Sequence, residues 1–385
     1  MRGGTNINSK VLIVSNISTN LYKFRLPLIN ELLKQGNLEV KCVSQGDKFY
    51  DRLSAVVPTI DIKLKRRSIS PFSDFLYFLN LLRLYRREKP SVILHFTIKP
   101  VIYGSMAASI LKIPSIASIT GLGSVFTNRG KLLRKIVEFL YKLSLKYVNY
   151  VIFQNNEDMK YFVEKGIIPK EKAIVVMGSG VDIEYFSPLF CKNVEHKDTK
   201  IFLMVSRIIP SKGVRIFVEA ARRIKKQDPS VRFALLGPLE NERHDSIKIE
   251  EIKTWEKEGI IEYWGVVDDV RECVCKSTFV VLPTYYREGI PRSLLEALAL
   301  GKPIITTNIP GCREVVEEGV NGFLIKPKDV DSLVQALKKA INLGKDKIID
   351  MGRKSRELAE KKFDSKIIVG VYIEKILEIL RNRGG

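Results

Sequence analysis

Short apolar runs that alternate with helical patterns constrain the fold of this chain more than any other feature. Each run has the length and composition of a buried parallel strand, and helical patterns separate them. Such a βαβ order predicts a doubly wound parallel sheet. The predicted strands of this first series are Lys10–Ser15, Leu38–Ser44, Ser91–Phe96, Ile113–Thr120 and Tyr147–Gln154.

The same order begins again near residue 200, after a polar, turn-prone stretch. With 385 residues, the chain is too long for one ordinary core. We therefore predict an α/β protein with two Rossmann-like domains facing each other across a cleft. The second series of strands is Lys200–Arg207, Val231–Gly237, Ile261–Gly265, Phe279–Pro283 and Pro303–Thr307. The predicted division is an N-terminal domain over 1–185, a linker over 186–199, a C-terminal domain over 200–363 and a C-terminal helix over 364–385.

Composition excludes several classes of protein. A hydrophobic content of 45% with 28% charged residues is that of a globular chain. No apolar run approaches the roughly 18 residues of a membrane-spanning helix. Five cysteines without a C-x-x-C pair, together with three histidines, favour a reduced cytosolic compartment and give no support for a metal site.

The charge is unevenly distributed. Residues 51–150 carry 17 Lys/Arg against 5 Asp/Glu, within a formal net charge of +21. Such a field attracts nucleic acid, anionic lipid or phosphorylated substrates. Two basic helical patterns, Pro71–Lys89 and Arg129–Tyr147, are either ordinary outer helices or helices that lie on a membrane. We expect an anionic membrane surface as the partner and no nucleic acid, because no nucleic-acid-binding module is recognisable.

The segment Arg287–Ala297 follows a predicted strand and contains Glu288 and Glu296. A helix is predicted over Pro291–Leu300, so both glutamates lie near the carboxyl edge of a sheet, where open α/β sheets bind ligands. Backbone N–H groups of Gly289–Ser293 could meet an anion there. Alternatively, the two glutamates are only helix-dipole partners or solvated side chains.

Five motifs in this order resemble the family-4 retaining glycosyltransferases with GT-B architecture. They are Val205–Gly213, Leu235–Pro238, Trp264–Val270, the Glu288/Glu296 pair and Pro310–Leu324. The resemblance covers nearly the whole chain, and it implies a C-terminal helix that crosses back onto the N-terminal domain.

The resemblance implies a UDP-sugar donor, no cofactor, no divalent metal and no protein nucleophile. Arg207 and Lys212 match the cations that hold the donor diphosphate, and preorganised cations stabilise the charge on the leaving nucleotide. By resemblance, Glu296 holds the ribose hydroxyls and Glu288 contacts the donor sugar. The base would meet Gly265, Val266 and Val267, and the other expected donor-binding residues are Gly289, Ile290, Pro291 and Arg292.

His95 is the histidine expected to have a role in catalysis, beside Glu288, Arg207 and Lys212. We interpret it as the first residue of a loop, His95–Pro100, that follows a strand. In the family such a histidine contacts the donor sugar. A lone histidine is, however, more often structural.

Two stretches, His95–Ser105 and Ser118–Phe126, narrow the resemblance to a subgroup that transfers an N-acetylhexosamine or a related sugar. Its acceptor is a polyprenyl-diphosphate-linked saccharide, so a cytoplasmic enzyme, peripheral on the inner face of the membrane, is expected. The candidates for contacting the acceptor diphosphate are Lys23, Arg25, Lys99, Gly121 and Gly123. The alternatives left open are a UDP-sugar 2-epimerase and a basic nucleic-acid-binding protein.

Overall fold

The chain forms two compact units in the computed structural model, which describes residues 9–64, 70–123, 126, 130–194, 199–240, 246–287 and 289–382. One unit contains the residues up to Ser179 together with those from Lys366 onward, and the other contains Gly180–Ser365. Each unit is built around one parallel β-sheet. This confirms the predicted α/β class with two Rossmann-like domains.

The first unit has a seven-stranded sheet in the order β3-β2-β1-β4-β5-β6-β7. Its strands are β1 (Ser9–Ile17), β2 (Leu38–Gln45), β3 (Thr59–Asp61), β4 (Val92–Phe96), β5 (Ser115–Ile119), β6 (Tyr150–Phe153) and β7 (Ala173–Val175). The helices of this part are α1 (Ser18–Lys34), α2 (Tyr50–Ser54), α3 (Pro71–Glu88), α4 (Ser105–Ile110), α5 (Lys131–Leu145) and α6 (Asn156–Glu164), with a π-helical turn at Pro100–Gly104 before α4.

The second unit has a six-stranded sheet in the order β10-β9-β8-β11-β12-β13. Its strands are β8 (Ile201–Val205), β9 (Arg232–Leu236), β10 (Glu262–Tyr263), β11 (Phe279–Leu282), β12 (Ile304–Thr307) and β13 (Gly322–Ile325). Its helices are α7 (Pro188–Cys191), α8 (Val214–Lys225), α9 (Ile249–Lys257), α10 (Arg271–Lys276), α11 (Arg292–Ala299), α12 (Val330–Ile341) and α13 (Lys345–Leu358), and a 3-10 turn spans Pro210–Lys212.

Side chains of the first sheet alternate between two helical layers. Val11 and Ile13 pack with α1, whereas Leu12 and Val14 pack with α3 and α4. Such an alternation follows from the period of two in a strand. Because both faces are covered, the central strands read as continuous apolar runs.

The last helix, α14 (Ser365–Arg381), joins the core of the first unit. Its residues Ile368, Tyr372, Ile376 and Ile379 are buried in the same cluster as α1. The ring centroids of Tyr372 and Phe96 are 5.8 Å apart. The expected return of the C-terminal helix to the N-terminal domain is therefore confirmed.

Part of the predicted linker folds with the second unit. Helix α7 lies within it, and Cys191 at its end forms a disulfide with Cys275 of α10. Residues 195–198 of the predicted linker lie outside the described residues. The cysteine pattern favours reduced thiols, and the structure corrects this expectation for Cys191 and Cys275. The two partners are 84 positions apart, so no short spacing motif could show the pairing.

The structure also bears on membrane insertion. Within the ranges that the structure describes, no helix combines the length and the apolar character needed to cross a bilayer.

Replacing Gly213 with alanine tests how tightly the loop after β8 packs against the end of β11. A Cβ at Gly213 would lie 2.1 Å from the Pro283 carbonyl oxygen, at φ +84°. Gly259 has a similar φ of +69° but no atom within 4 Å of its added Cβ. We expect Gly259→Ala to cost about 1 kcal/mol and Gly213→Ala about 3 kcal/mol or more of unfolding free energy. Urea denaturation measures both, and equal losses would contradict the close approach.

Candidate active site

The second unit has one point where neighbouring strands lead to loops that diverge. β8 lies beside β11, and their crossovers leave in opposite directions along the sheet order. Ligands of open α/β sheets bind outside the carboxyl ends of strands at such a point. Arg207 and Lys212 follow β8, and the segment from Gly289 to Glu296 follows β11. The structure therefore brings these predicted donor-site segments to one edge of one sheet.

The loop after β8 is fixed to the end of β11 by backbone contacts. The carbonyl of Ser211 accepts hydrogen bonds from the Tyr285 N–H, at 3.0 Å, and from the Thr284 hydroxyl, at 3.2 Å. Lys212, at the end of this turn, is 7% exposed. The Ser211 hydroxyl is buried without a hydrogen-bond partner among the described residues. A buried hydroxyl without a partner requires a specific explanation, and a ligand bound at this edge would supply one.

Arg207 is more accessible than Lys212. Its side chain is 42% exposed, and its Nη1 lies 2.7 Å from Glu240 Oε1. An ion pair at this exposure contributes little to stability, about 1 kcal/mol or less. The guanidinium can therefore exchange Glu240 for a more highly charged anion without a large loss.

The predicted base-binding residues lie at the same edge of the sheet. Gly265 has a φ of +71° and its carbonyl accepts a 2.8 Å hydrogen bond from the N–H of Gly237. Val266 beside it is 59% exposed. Val267 follows, partly buried. An exposed apolar side chain on a loop fixed to the neighbouring loop is suited to a flat, partly apolar ligand.

The segment after β11 contains most of the remaining predictions. Glu288 lies outside the described residues, so its predicted contact with the donor sugar stays a prediction. Gly289, Ile290 and Pro291 are buried, and α11 begins at Arg292.

Glu296 is paired with Arg292 on one face of α11. Arg292 Nε lies 3.0 Å from Glu296 Oε1, and Arg292 Nη1 donates to the Gly180 carbonyl at 2.8 Å. Both side chains are less than one-fifth exposed. The pair orients the Glu296 carboxylate, and a carboxylate accepts several hydrogen bonds at once.

A polar cluster near this helix contains none of the site residues predicted from the sequence. Arg271 stacks 3.7 Å from the ring centroid of Tyr185 and forms a 2.6 Å ion pair with Asp269. The Tyr185 hydroxyl donates to the same carboxylate at 3.3 Å. Burial and the nearby carboxylates Asp269 and Glu296 raise the pKa of Tyr185. Because Tyr185 and Arg271 are far apart in sequence, no local signal could have revealed the stack.

In the first unit, the acceptor candidates lie largely at one sheet edge. Lys99 follows β4, Gly121 and Gly123 follow β5, and Arg25 of α1 stacks 4.4 Å from the ring centroid of Phe96 at the end of β4. Lys99 Nζ lies 2.6 Å from Asp74 Oδ1. Lys23 is different, because it is exposed and lies over the ring of Phe49.

His95 is not on a loop, which corrects the sequence interpretation. β4 continues through Phe96, and His95 is completely buried between α3 and α4. Its Nε2 lies 3.0 Å from the Tyr85 hydroxyl and its Nδ1 lies 3.2 Å from the Ser105 hydroxyl. Burial lowers its pKa to about 3, so the ring is neutral. The side chain faces a helical layer because residues 93 and 95 share one face of the strand. The predicted contact of His95 with the donor sugar stays a prediction.

Among the residues that the structure describes, no group of three or more His, Cys, Asp or Glu side chains could hold a metal ion.

Comparisons with known families match both units. The family model for glycosyl transferases group 1 matches residues 188–358. The glycosyl transferase 4-like model matches residues 10–155. Together they cover both series of strands predicted from the sequence.

Two bacterial relatives are similar over nearly the whole chain. The N,N'-diacetylbacillosaminyl-diphospho-undecaprenol alpha-1,3-N-acetylgalactosaminyltransferase of Campylobacter jejuni is 27% identical, covering 97% of this chain and 100% of that protein. The UDP-Gal:alpha-D-GlcNAc-diphosphoundecaprenol alpha-1,3-galactosyltransferase of Escherichia coli is 26% identical, covering 91% of this chain and 90% of that protein.

Solved structures agree with this fold. A glycosyltransferase from Rickettsia africae gives a TM-score of 0.78 at 20% identity, covering 97% of this chain and 99% of that chain. Anabaena HepE in complex with UDP and glucose gives a TM-score of 0.76 at 17% identity, covering 96% of this chain and 100% of that chain. These likenesses establish the GT-B fold.

The buried, neutral His95 predicts a measurable sensitivity to acid. In the unfolded chain His95 has its ordinary pKa of 6.5, whereas in the folded chain its pKa is about 3. The free energy of unfolding therefore falls as the pH drops below about 6.5, by on the order of 2 kcal/mol between pH 8 and pH 5. Urea denaturation at the two pH values should show a smaller loss for His95→Gln than for the wild type. Equal losses would contradict the neutral, buried imidazole.

Proposed function

Because the chain belongs to the family-4 glycosyltransferases, we propose that it transfers a sugar from a UDP-sugar to a polyprenyl-diphosphate-linked saccharide. The observation that carries the proposal is the convergence of Arg207, Lys212, Gly265 and the α11 segment at one edge of the second sheet. Relatives named for undecaprenyl-diphosphate substrates support the acceptor class. The sugar is proposed to be an N-acetylhexosamine or a close relative, used in the assembly of a surface polysaccharide or a glycoprotein glycan.

The proposed chemistry depends on charge at the leaving group. Breaking the bond between sugar and diphosphate increases negative charge on UDP, and preorganised cations stabilise that charge. Lys212 is suited to this because it is buried beside the end of β11. Arg207 would exchange Glu240 for the diphosphate, and Glu296, oriented by Arg292, would accept the ribose hydroxyls. We propose that these two cations make a divalent metal unnecessary.

The donor site can be tested by replacing its two cations and, as a control, a third exposed arginine. Arg207→Ala and Lys212→Ala should each lower kcat by about 100-fold or more, because they remove charge stabilisation from the transition state. Arg215→Ala is the control, since Arg215 is also exposed and ion-paired, at 3.0 Å from Glu251, on the outer side of α8. The measurement is the transfer of labelled sugar from UDP-sugars to a polyprenyl-diphosphate-linked saccharide.

Three experimental outcomes would overturn the assignment. Full activity of Arg207→Ala and Glu296→Ala would show that the donor site lies elsewhere. UDP-sugar turnover that needs no acceptor would favour an epimerase. Binding of nucleic acid without binding of a UDP-sugar would favour a basic nucleic-acid-binding protein.

A membrane surface is proposed as the second partner. Helix α5 exposes large apolar side chains at intervals of three or four positions, so they share one face. They are Leu132 (74% exposed), Ile136 (47%), Phe139 (65%) and Leu143 (47%). The lysines at 131, 135 and 142 on this helix are exposed as well. Apolar side chains flanked by lysines fit an anionic lipid interface, and we propose the inner face of the cell membrane as the location.

Vesicle binding tests this surface directly. A Leu132→Ser, Phe139→Ser variant should bind phosphatidylglycerol vesicles at least about tenfold more weakly, because the lipid contact loses two exposed apolar side chains. Ile349→Ser is the control, since Ile349 is 61% exposed on α13 of the second unit. Co-sedimentation should also show that the wild-type protein binds neutral phosphatidylcholine vesicles more weakly than phosphatidylglycerol vesicles. Unchanged binding of the double variant would exclude α5 as the contact.

A further inference from the structure

The buried face of α3 carries a carboxylate that holds the segment following β4. Asp74 is 7% exposed. Its Oδ1 lies 2.6 Å from Lys99 Nζ, and its Oδ2 accepts a 3.1 Å hydrogen bond from the Tyr103 hydroxyl. Burial, together with the charge of Asp74, raises the pKa of Tyr103, so its hydroxyl stays protonated and can donate. One carboxylate therefore joins the first turns of α3 to two positions of the segment.

The same segment has a strained backbone. Thr97 has a φ of +71°, which is rare for a β-branched residue. Its carbonyl accepts a 3.0 Å hydrogen bond from the Val101 N–H, just before the π-helical turn. At Gly104, within that turn, an added Cβ would lie 2.6 Å from His95 Cδ2. Such a conformation persists only where the surroundings hold it, and strain of this kind gathers at functional sites.

A buried ion pair is a poor means of stabilising a fold, because desolvation of both charges offsets their attraction. Asp74 and Lys99 lie where the pair can serve the reaction instead. Lys99 follows β4, and β4 lies beside β1 in the middle of the first sheet. That is the point in the sheet order where open α/β sheets bind ligands.

We propose that Asp74 is a positioning residue of the acceptor site, which fixes the Lys99 ammonium to meet the diphosphate of a lipid-linked acceptor. The inference rests on the proposed function. An ammonium group has three donors, so its hydrogen bond to Asp74 is compatible with another to a phosphate oxygen. The first turns of α3 also expose Phe72 (73%) and Phe75 (55%). These side chains would lie near the lipid, at whose surface a polyprenyl diphosphate presents its phosphates.

The other end of α3 provides a matched control. Glu88 has a side chain only 10% exposed and forms ion pairs with Lys41, at 2.9 Å, and Lys10, at 3.4 Å. Asp74→Asn and Glu88→Gln therefore remove similar charges from one helix. Only Asp74 contacts an acceptor candidate. A merely structural role predicts similar effects of both variants.

The test is steady-state kinetics with the full chain, UDP-sugar and a polyprenyl-diphosphate-linked saccharide. Lys99→Met should raise the KM for the acceptor about tenfold, the size expected for one charged hydrogen bond. Asp74→Asn should raise the acceptor KM about threefold to tenfold, because the Lys99 ammonium then loses the carboxylate that holds it. Neither variant should change the KM for the UDP-sugar, and Glu88→Gln should change neither KM. Asp74→Glu, which keeps the charge, should restore part of the acceptor affinity.

The double variant shows whether Asp74 acts through Lys99. In that case Asp74→Asn adds nothing to the acceptor KM of Lys99→Met, as a double-mutant cycle would show. Fully multiplicative effects, or an unchanged acceptor KM in a folded Asp74→Asn variant, would overturn the inference and leave the proposed function intact. If Asp74→Asn does not fold, Asp74→Glu replaces it in the test, because its longer side chain displaces the carboxylate. An acceptor KM that Asp74→Glu raises in the wild-type background but not in the Lys99→Met background supports the inference, whereas an unchanged acceptor KM overturns it. A wild-type protein that cannot use any lipid-linked acceptor would overturn both proposals.

Discussion

Parallel pairing of the central strands is the constraint on which the rest of the molecule depends. A parallel pair cannot be closed by a tight turn, so each strand is followed by a crossover, commonly a helix, that returns to the opposite edge. The crossovers cover both faces of the first sheet, whose strands β4 and β5 are buried at every position. All loops that follow strands then meet at one edge, where residues distant in sequence become neighbours. Ser211 and Tyr285 are an example, because a 3.0 Å backbone hydrogen bond joins them although 74 positions separate them along the chain.

The two units differ in the contacts and charges at this edge. In the second unit, backbone contacts join the loop after β8 to the end of β11, and the polar groups there are cations and one oriented carboxylate. In the first unit, the corresponding segment after β4 is held by Asp74 from a helix, and its cation is already paired. The proposed nucleotide-sugar donor fits the arrangement in the second unit. The proposed lipid-linked acceptor fits the arrangement in the first unit, because Asp74 lies in the same turns of α3 as two exposed phenylalanines.

Sequence reasoning reached the fold class because that depends on local patterns, namely apolar runs and their order along the chain. Arg207 and Lys212 follow the opening strand of the second series, as expected, whereas their binding of the donor diphosphate stays a prediction. His95 shows the limit. Its environment depends on the face of β4 to which the side chain points, and composition does not determine that face. Asp74, Tyr185 and Arg271 were not identified because their partners lie in other elements, so only the folded chain brings them together.

Helix α14 has a consequence for the order in which the molecule can be made. Its residues Ile368, Tyr372, Ile376 and Ile379 complete the core around α1. Domains generally fold as units during synthesis, the N-terminal one first. Here the first unit lacks one of its covering helices until residues beyond 365 have been added, whereas the second unit, Gly180–Ser365, is already complete in sequence by then. The N-terminal half of the chain therefore begins folding first and finishes last, with an apolar face of its sheet incompletely covered throughout translation of the second half.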